Sequence, residues 1–337
     1  MANKRVLVTG VAGFLGSNLL PRLLESGYTV VGLDNLGHGR LDRVSRHVGD
    51  RFQFIEGDVR DHETVGRAAR GVGHIVHFAE VKIPRYGQSL ETLEVNVQGT
   101  EHVLDAAVEQ GARFILGSTD EVYGKNTENP LNEESALVMG QSNVNRWSLG
   151  VSKLMAEQLS FAYHEKHGVP VTILRYFGGY GPQQSLDWMG GPQSVFITAA
   201  LRRETVPIHG DGLQSRTFTN IADLVEGTIL AMESPYSEGE ILNVASRDTL
   251  SMINLAYLVW RLVGNAEKPK LEFVPYTDFS RNYEDVRQRS ADISKVHYLL
   301  GFEPKVALIE GLKGTIRWQA EALGVELNDA RAGATTL

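Results

Sequence analysis

The sequence predicts an α/β fold, a Rossmann-type doubly wound parallel sheet with a smaller C-terminal substrate-binding lobe. Three observations carry this. Short β-branched runs alternate with helical segments through the first half of the chain. A glycine-rich turn joins the first strand to the first helix. The segments between strands are long enough for the crossover helices that parallel neighbours require.

The elements follow in order. "RVLVTG" reads as a buried strand, and "GFLGSNLLPRLLESG" as a helix ended by Gly27. "YTVVGLD", "RFQFIEGD", "GHIVHFA" and "ARFILGS" are the next four strands. "VPVTILRYF" is a sixth and "EILNVAS" a seventh, with Gly/Pro-rich loops between and after them and a helical C-terminal third. That remaining material is expected to complete a site at the carboxyl ends of the strands.

At 337 residues the chain is too long for one ordinary core and suits two domains, or one with a lobe. Hydrophobic content of 42% and charge of 22% are ordinary for a globular protein. No apolar run reaches the roughly 18 residues that span a membrane. The start "MANKRVLVTG" runs straight into a strand, so no signal peptide is expected. Cysteine is absent, which removes disulfides and thiolate chemistry and fits a cytoplasmic location. The net charge of −8 argues against nucleic acid as the main partner. Local arginines can still hold a small anion, and no metal is expected.

The turn "TGVAGFLG" supplies Gly10, Gly13 and Gly16 between strand and helix. Glycines there let the backbone approach a pyrophosphate, and the helix start adds N–H donors and a positive dipole. A plain tight turn is the competing reading, which the strand–turn–helix context disfavours. Asp34 ends the second strand, where a carboxylate binds both ribose hydroxyls and repels a 2′-phosphate, so NAD is favoured over NADP. Asp58 and Val59 follow the third strand at the expected adenine edge, or form a turn. On this reading residues 1–177 with about 219–248 form the NAD-binding domain. About 178–218 with 249–330 form the lobe, and 331–337 a flexible tail.

The ordered set "TGVAGFLG", "DN", "GDVRD", "HFAE", "NVQGT" and "STDEVYG" resembles the extended short-chain dehydrogenase/reductases. Within them it is similar to the nucleotide-sugar epimerases, dehydratases and decarboxylases. The likeness continues through "RYFGGYGPQ", "GDGLQSRTFTNIADLVEG" and "LGFEP", nearly the whole chain. The resemblance implies a recycled NAD, oxidation of a sugar at C4, reaction of the 4-keto intermediate, and return of the hydride. It places Phe14, Leu15, Asn35, Phe78, Ala79 and Lys153 at the cofactor. It places Glu80, Thr119, Tyr180, Arg216 and Arg281 at the substrate. It also implies a homodimer pairing the helices of "SLETLEVNVQGTEHVLDAAVEQ" and "SLGVSKLMAEQLSFAYHEKH".

In "STDEVYG", Thr119 matches the hydroxyl residue that meets the C4 oxygen. Asp120 and Glu121 read either as a cap or as a split acid–base pair. In the second reading Glu121 removes the C5 proton and Asp120 protonates the leaving C6 hydroxyl. Thr-Asp-Glu there resembles the dTDP-glucose 4,6-dehydratases, which makes a 4,6-dehydratase the leading expectation. A 4-epimerase or a UDP-glucuronate decarboxylase is the alternative. "NRWSLGVSK" is similar to the Arg-Trp-x-Tyr-x-x-Ser-Lys helix of the bacterial decarboxylases. Those enzymes carry a further Arg shortly before "LGFEP", where the count falls on Ser294.

Four departures stand out. Gly178 occupies the place of a usual Asn, Glu80 that of a small residue, and "SLDWMGGPQ" inserts Trp188 and Met189 near the sugar or the base. His77 reads as a residue near the cofactor or as a packed strand-end histidine. Above all, Leu149 stands where the family's proton-accepting Tyr belongs, four residues before Lys153 and on the same helix face. Leu cannot take a proton. The chain is then an inactivated substrate-trapping variant, a natural member using Tyr123, Glu121 or Glu80 as base, or a non-catalytic NAD and nucleotide-sugar binding protein.

Overall fold

A computed structural model describes residues 3–82, 88–278 and 284–327. The main sheet contains β1 (Arg5–Thr9), β2 (Thr29–Asp34), β3 (Phe52–Glu56), β4 (His74–His77), β5 (Arg113–Thr119) and β6 (Val171–Tyr176). The chain continues through β7 (Gly179–Tyr180), β8 (Val206–His209), β9 (Ser215–Thr217) and β10 (Thr219–Asn220). It ends with β11 (Glu240–Val244), β12 (Thr249–Ser251), β13 (Leu271–Val274) and β14 (Gln288–Arg289). The large sheet has the order β11-β6-β5-β4-β1-β2-β3, and every pairing in it is parallel. Its seven strands are the seven that the β-branched runs predict. The order reverses between β1 and β4, which opens a crevice at the carboxyl ends of these strands.

The helices are α1 (Phe14–Glu25), α2 (His62–Ala68), α3 (Ser89–Gln110), α4 (Trp147–His167), α5 (Pro192–Arg202), α6 (Ile221–Glu233), α7 (Met252–Leu262), α8 (Ser294–Leu300) and α9 (Leu308–Leu323). Alternation along each strand sends side chains to both faces of the sheet. Val6, Val8, Val30, Val76, Ile115, Leu174 and Leu242 share one core with residues of α1 and α6. Leu7, Val31, Ile75, Phe114, Leu116 and Ile173 share the other with residues of α2, α3 and α4. A third core gathers Phe196, Ile208, Val259 and Ile316 from α5, β8, α7 and α9. No helix among the described residues is long and apolar enough to cross a membrane.

The small sheets bring substrate-side residues together. β9 pairs with β12 antiparallel and with β14 in parallel, and that register sets Arg289 beside Arg216. β13 pairs with β8 in parallel.

Candidate active site

Two connected cavities occupy the carboxyl ends of the strands. The first, of about 580 Å³, is a groove lined by Gly10, Gly13, Phe14, Leu15, Asp34, Asn35, Val59, Phe78 and Ala79. The second, of about 300 Å³, is lined by Thr119, Asp120, Glu121, Arg146, Leu149, Arg216 and Arg289. Phe14, Leu15, Glu80, Lys82, Gly179 and Gly190 border both.

The groove fits a dinucleotide on its own geometry. α1 begins at Gly13 with no side-chain cap and no acid in its first turn, so its leading N–H groups are left for an anion. Gly10 has φ +68°, and a Cβ there would lie 2.7 Å from the Ala79 nitrogen. Only glycine permits that approach. Gly16 packs the helix down on the turn, since a Cβ would meet Gly10 O at 2.4 Å. Asp34 accepts from Ala12 N at 2.9 Å and Leu36 N at 2.8 Å, one bond per oxygen, which leaves lone pairs for hydroxyls. Burial pushes the Asp34 carboxyl up, against those two N–H groups and Arg43. Asp58 is held at the groove's edge by Arg60 and by Asn35 Nδ2 at 2.9 Å. The Arg60 hydrogen bond keeps its carboxyl well below the usual range.

His77 lies in the core, not against a ligand. Its ring bonds Thr9 Oγ1 at 2.7 Å and Thr100 Oγ1 at 3.2 Å. Burial, with Lys153 adding, lowers it to about 3, so it stays neutral and ties β1 and β4 to α3.

In the sugar-side cavity Thr119 caps the 3-10 turn Asp120–Tyr123, accepting from Glu121 N at 3.3 Å and donating to Asp120 at 3.2 Å. The turn aims both carboxylates at guanidinium groups. Glu121 lies 2.9 Å from Arg289 and 3.3 Å from Arg146, and Asp120 lies 3.3 Å from Arg289. Burial pushes the Asp120 carboxyl up, Arg289 opposes this, and the Glu121 charge adds to it. Burial would raise Glu121 too, but Arg146 and Arg289 outweigh it and hold that carboxyl far below its ordinary value. The Asp120 carboxyl is thus pushed up and the Glu121 carboxyl held down.

Arg216 is 2.9 Å from Asp285, which Tyr276 also bonds and Arg146 approaches at 3.6 Å. Trp188 stacks on His209 with centroids 3.8 Å apart, and both line the sugar-side cavity, whereas Met189 lines the groove. Among the described residues no His, Asp or Glu cluster could hold a metal.

Several expectations change. Tyr180 is not at the substrate. It is fully buried in the third core and donates to Leu308 O at 3.3 Å. Arg281 lies outside the described residues. Gly178 cannot be the usual Asn in this backbone, because its φ is +53° and a Cβ would sit 1.8 Å from Thr217 O. Ser294 opens α8, so that position carries no arginine; Arg289, five positions earlier and not singled out by the sequence, lines the sugar-side cavity. Arg146 was also missed as a site residue, although its motif was read. Of the substitute bases, Tyr123 is buried and donates to Asn243 at 2.7 Å, with Arg175 over its ring. Leu149 faces the sugar-side cavity, and Lys153 meets Glu80 at 2.8 Å.

The model of the NAD dependent epimerase/dehydratase family matches residues 6–245. The chain is 33% identical over 321 residues to UDP-N-acetyl-alpha-D-glucosaminuronate decarboxylase of Bacillus cytotoxicus, covering 94% of this chain and 98% of that one. It is 35% identical to UDP-glucuronic acid decarboxylase 2 of Arabidopsis thaliana, covering 98% and 72%. Among solved structures, UDP-glucuronic acid 4-epimerase of Bacillus cereus, in complex with UDP-glucuronic acid and NAD, superposes with a TM-score of 0.85 at 28% identity, covering 94% and 99%. dTDP-glucose 4,6-dehydratase of Streptomyces venezuelae, with NAD bound, gives 0.85 at 31%, covering 95% and 98%.

Proposed function

The chain belongs to the NAD-dependent epimerase/dehydratase family, and from that premise we propose that it decarboxylates a nucleotide-linked uronic acid through a 4-keto sugar. The observation that carries this reading is Arg289. It is 1% exposed and sits with Arg146 at the Asp120–Glu121 end of the cavity, beside the Arg216–Asp285 pair suited to a diphosphate. Two extra guanidinium groups there suit a sugar that brings its own carboxylate. The relatives' names point the same way, since they act on UDP-linked uronic acids.

When bound, NAD takes up and later returns the hydride of the sugar. Gly10, Gly13 and the start of α1 would hold its pyrophosphate, Asp34 its adenosine ribose and, by the family pattern, Lys153 its other ribose. A ketone at C4 makes the sugar a β-keto acid, which loses carbon dioxide readily. Thr119 then donates to the enolate oxygen. Asp120, the acid that burial biases toward protonation, delivers a proton to C5.

This reading displaces the 4,6-dehydratase expectation. Elimination needs a base free to take the C5 proton, and Glu121 is clamped by two guanidinium groups. The family pattern further suggests a homodimer through α3 and α4, whose Leu90, Leu93, Val151 and Met155 are solvent-exposed. Light scattering tests that assembly.

The test of the reaction is mass spectrometry after incubation of NAD-loaded protein with UDP-glucuronate and UDP-N-acetylglucosaminuronate. Loss of carbon dioxide supports the proposal. An isomer of the same mass indicates an epimerase, and loss of water from dTDP-glucose a dehydratase. Binding without turnover indicates a non-catalytic protein.

A further inference from the structure

The ammonium of Lys153 is 2% exposed and has two partners: Gly117 O at 2.7 Å and Glu80 Oε2 at 2.8 Å. Leu149, one turn away, gives it only an apolar side chain. Glu80 comes from a different element, the loop after β4, and its side chain keeps 27% of its surface exposed. It borders both the dinucleotide groove and the sugar-side cavity. It therefore stands at their junction, where a sugar carbon must meet a nicotinamide.

The other acid–base groups around that junction are committed elsewhere. Glu121 is held by Arg146 and Arg289, and Asp120, against Arg289, is the group the proposed reaction uses to protonate C5. The Tyr123 hydroxyl donates to Asn243, and Tyr176 bonds Thr228 at 2.8 Å. Tyr276 bonds Asp285. A bare Tyr-to-Leu replacement would leave Lys153 facing hydrocarbon. Here a carboxylate from the loop after β4 meets the same ammonium, so Lys153 keeps an anionic partner where Leu149 offers none.

We infer that Glu80, oriented by Lys153, is the catalytic base for the sugar hydroxyl that is oxidised. The inference rests on the proposed reaction. The O–H bond breaks and its proton passes to a Glu80 oxygen. The electron pair of the adjacent C–H bond leaves as hydride to the oxidised nicotinamide dinucleotide, and a carbonyl forms. On re-reduction Glu80 returns the proton. Lys153 aims the carboxylate through a charge-assisted hydrogen bond at 2.8 Å.

The experiment compares the parent with E80Q, E80D, L149Y and E80Q/L149Y. Calorimetry gives the affinity for NAD and for UDP, and absorbance gives the single-turnover reduction of bound NAD by UDP-glucuronate. In E80Q both affinities are expected within about threefold of the parent, while reduction slows about 100-fold or more, the range for a lost general base. E80D retains part of the rate. E80Q/L149Y recovers at least about tenfold over E80Q, because the phenol resumes the role beside Lys153. An E80Q that reduces NAD at the parental rate, or whose NAD affinity falls more than about tenfold, overturns the inference, the latter because Glu80 would then serve the groove. A parent that is inert while L149Y reduces NAD overturns it too and leaves the enzymatic reading standing. If both are inert yet bind NAD and UDP, both readings fall.

Discussion

Replacing Arg289 with methionine tests the electrostatics of the sugar-side cavity. The guanidinium lies 2.9 Å from Glu121 and 3.3 Å from Asp120, is 1% exposed, and donates to Gly124 O at 3.2 Å. R289M keeps most of the stem and leaves two carboxylates short of one cation. Breaking a buried pair in this way costs about 3–5 kcal/mol. Arg146 still faces Glu121 at 3.3 Å, so the lower end, about 3 kcal/mol, is expected. Unfolding entropy of about 2.1 cal/mol/K per residue gives about 0.7 kcal/mol/K for a chain of this length, hence a fall in Tm of about 4 °C at neutral pH.

The pH dependence follows from the two shifts. Glu121 is held below its ordinary value, so its stabilisation is present above about pH 4.3 and is lost as pH falls through the folded-state value. Asp120 is raised, so the folded state loses stability as pH rises from about 3.9 toward its folded-state value. Without Arg289 the Glu121 carboxyl moves up and the acid limb of stability begins at higher pH. Scanning calorimetry across the acid and neutral range measures both effects. A Tm within about 1 °C of the parent, together with an unmoved acid limb, would refute Arg289 as the counter-charge.

Three further outcomes are expected. Gly10→Ala places a methyl 2.7 Å from the Ala79 nitrogen at φ +68°, and calorimetry should find NAD binding weakened at least about tenfold, together with a lower Tm. Gly178→Asn, the family-like residue, should destabilise rather than restore function, because its Cβ would sit 1.8 Å from Thr217 O; urea unfolding gives the size, expected above about 2 kcal/mol. Glu157→Gln removes the counter-charge from Arg175, both 2% exposed and 2.7 Å apart, and should cost about 3 kcal/mol in the same assay, with no change at all as the refuting result.

The sheet was legible because parallel strands buried on both faces are continuous apolar runs, as in "RVLVT" and "VTILRY". The groove was legible because a short chain segment builds it: strand, glycine turn and helix are contiguous from Arg5 to Glu25. The sugar side was harder. Arg289 sits on a two-residue strand, too short to show any period, and reaches the site only through its pairing with β9. The resemblance put Tyr180 at the substrate, yet Leu308 on α9 claims its hydroxyl across 128 positions. Glu80 was visible as an oddity in "HFAE", but its meaning depends on Lys153, which lies 73 positions later and 2.8 Å away.

The cavity's guanidinium groups have resident counter-ions: Arg216 has Asp285, Arg146 has Asp285 and Glu121, and Arg289 has Asp120 and Glu121. An anion entering there exchanges places with a carboxylate of the protein instead of meeting a bare charge. Its gain is the difference between two short, shielded pairings, over which bulk salt has little leverage. A sugar lacking the second charge breaks such a pair and returns nothing for it. If the proposed uronic-acid substrate is the right one, discrimination against neutral hexoses would lie in the number of charges delivered, with rejection of the wrong ligand built from the protein's own acids.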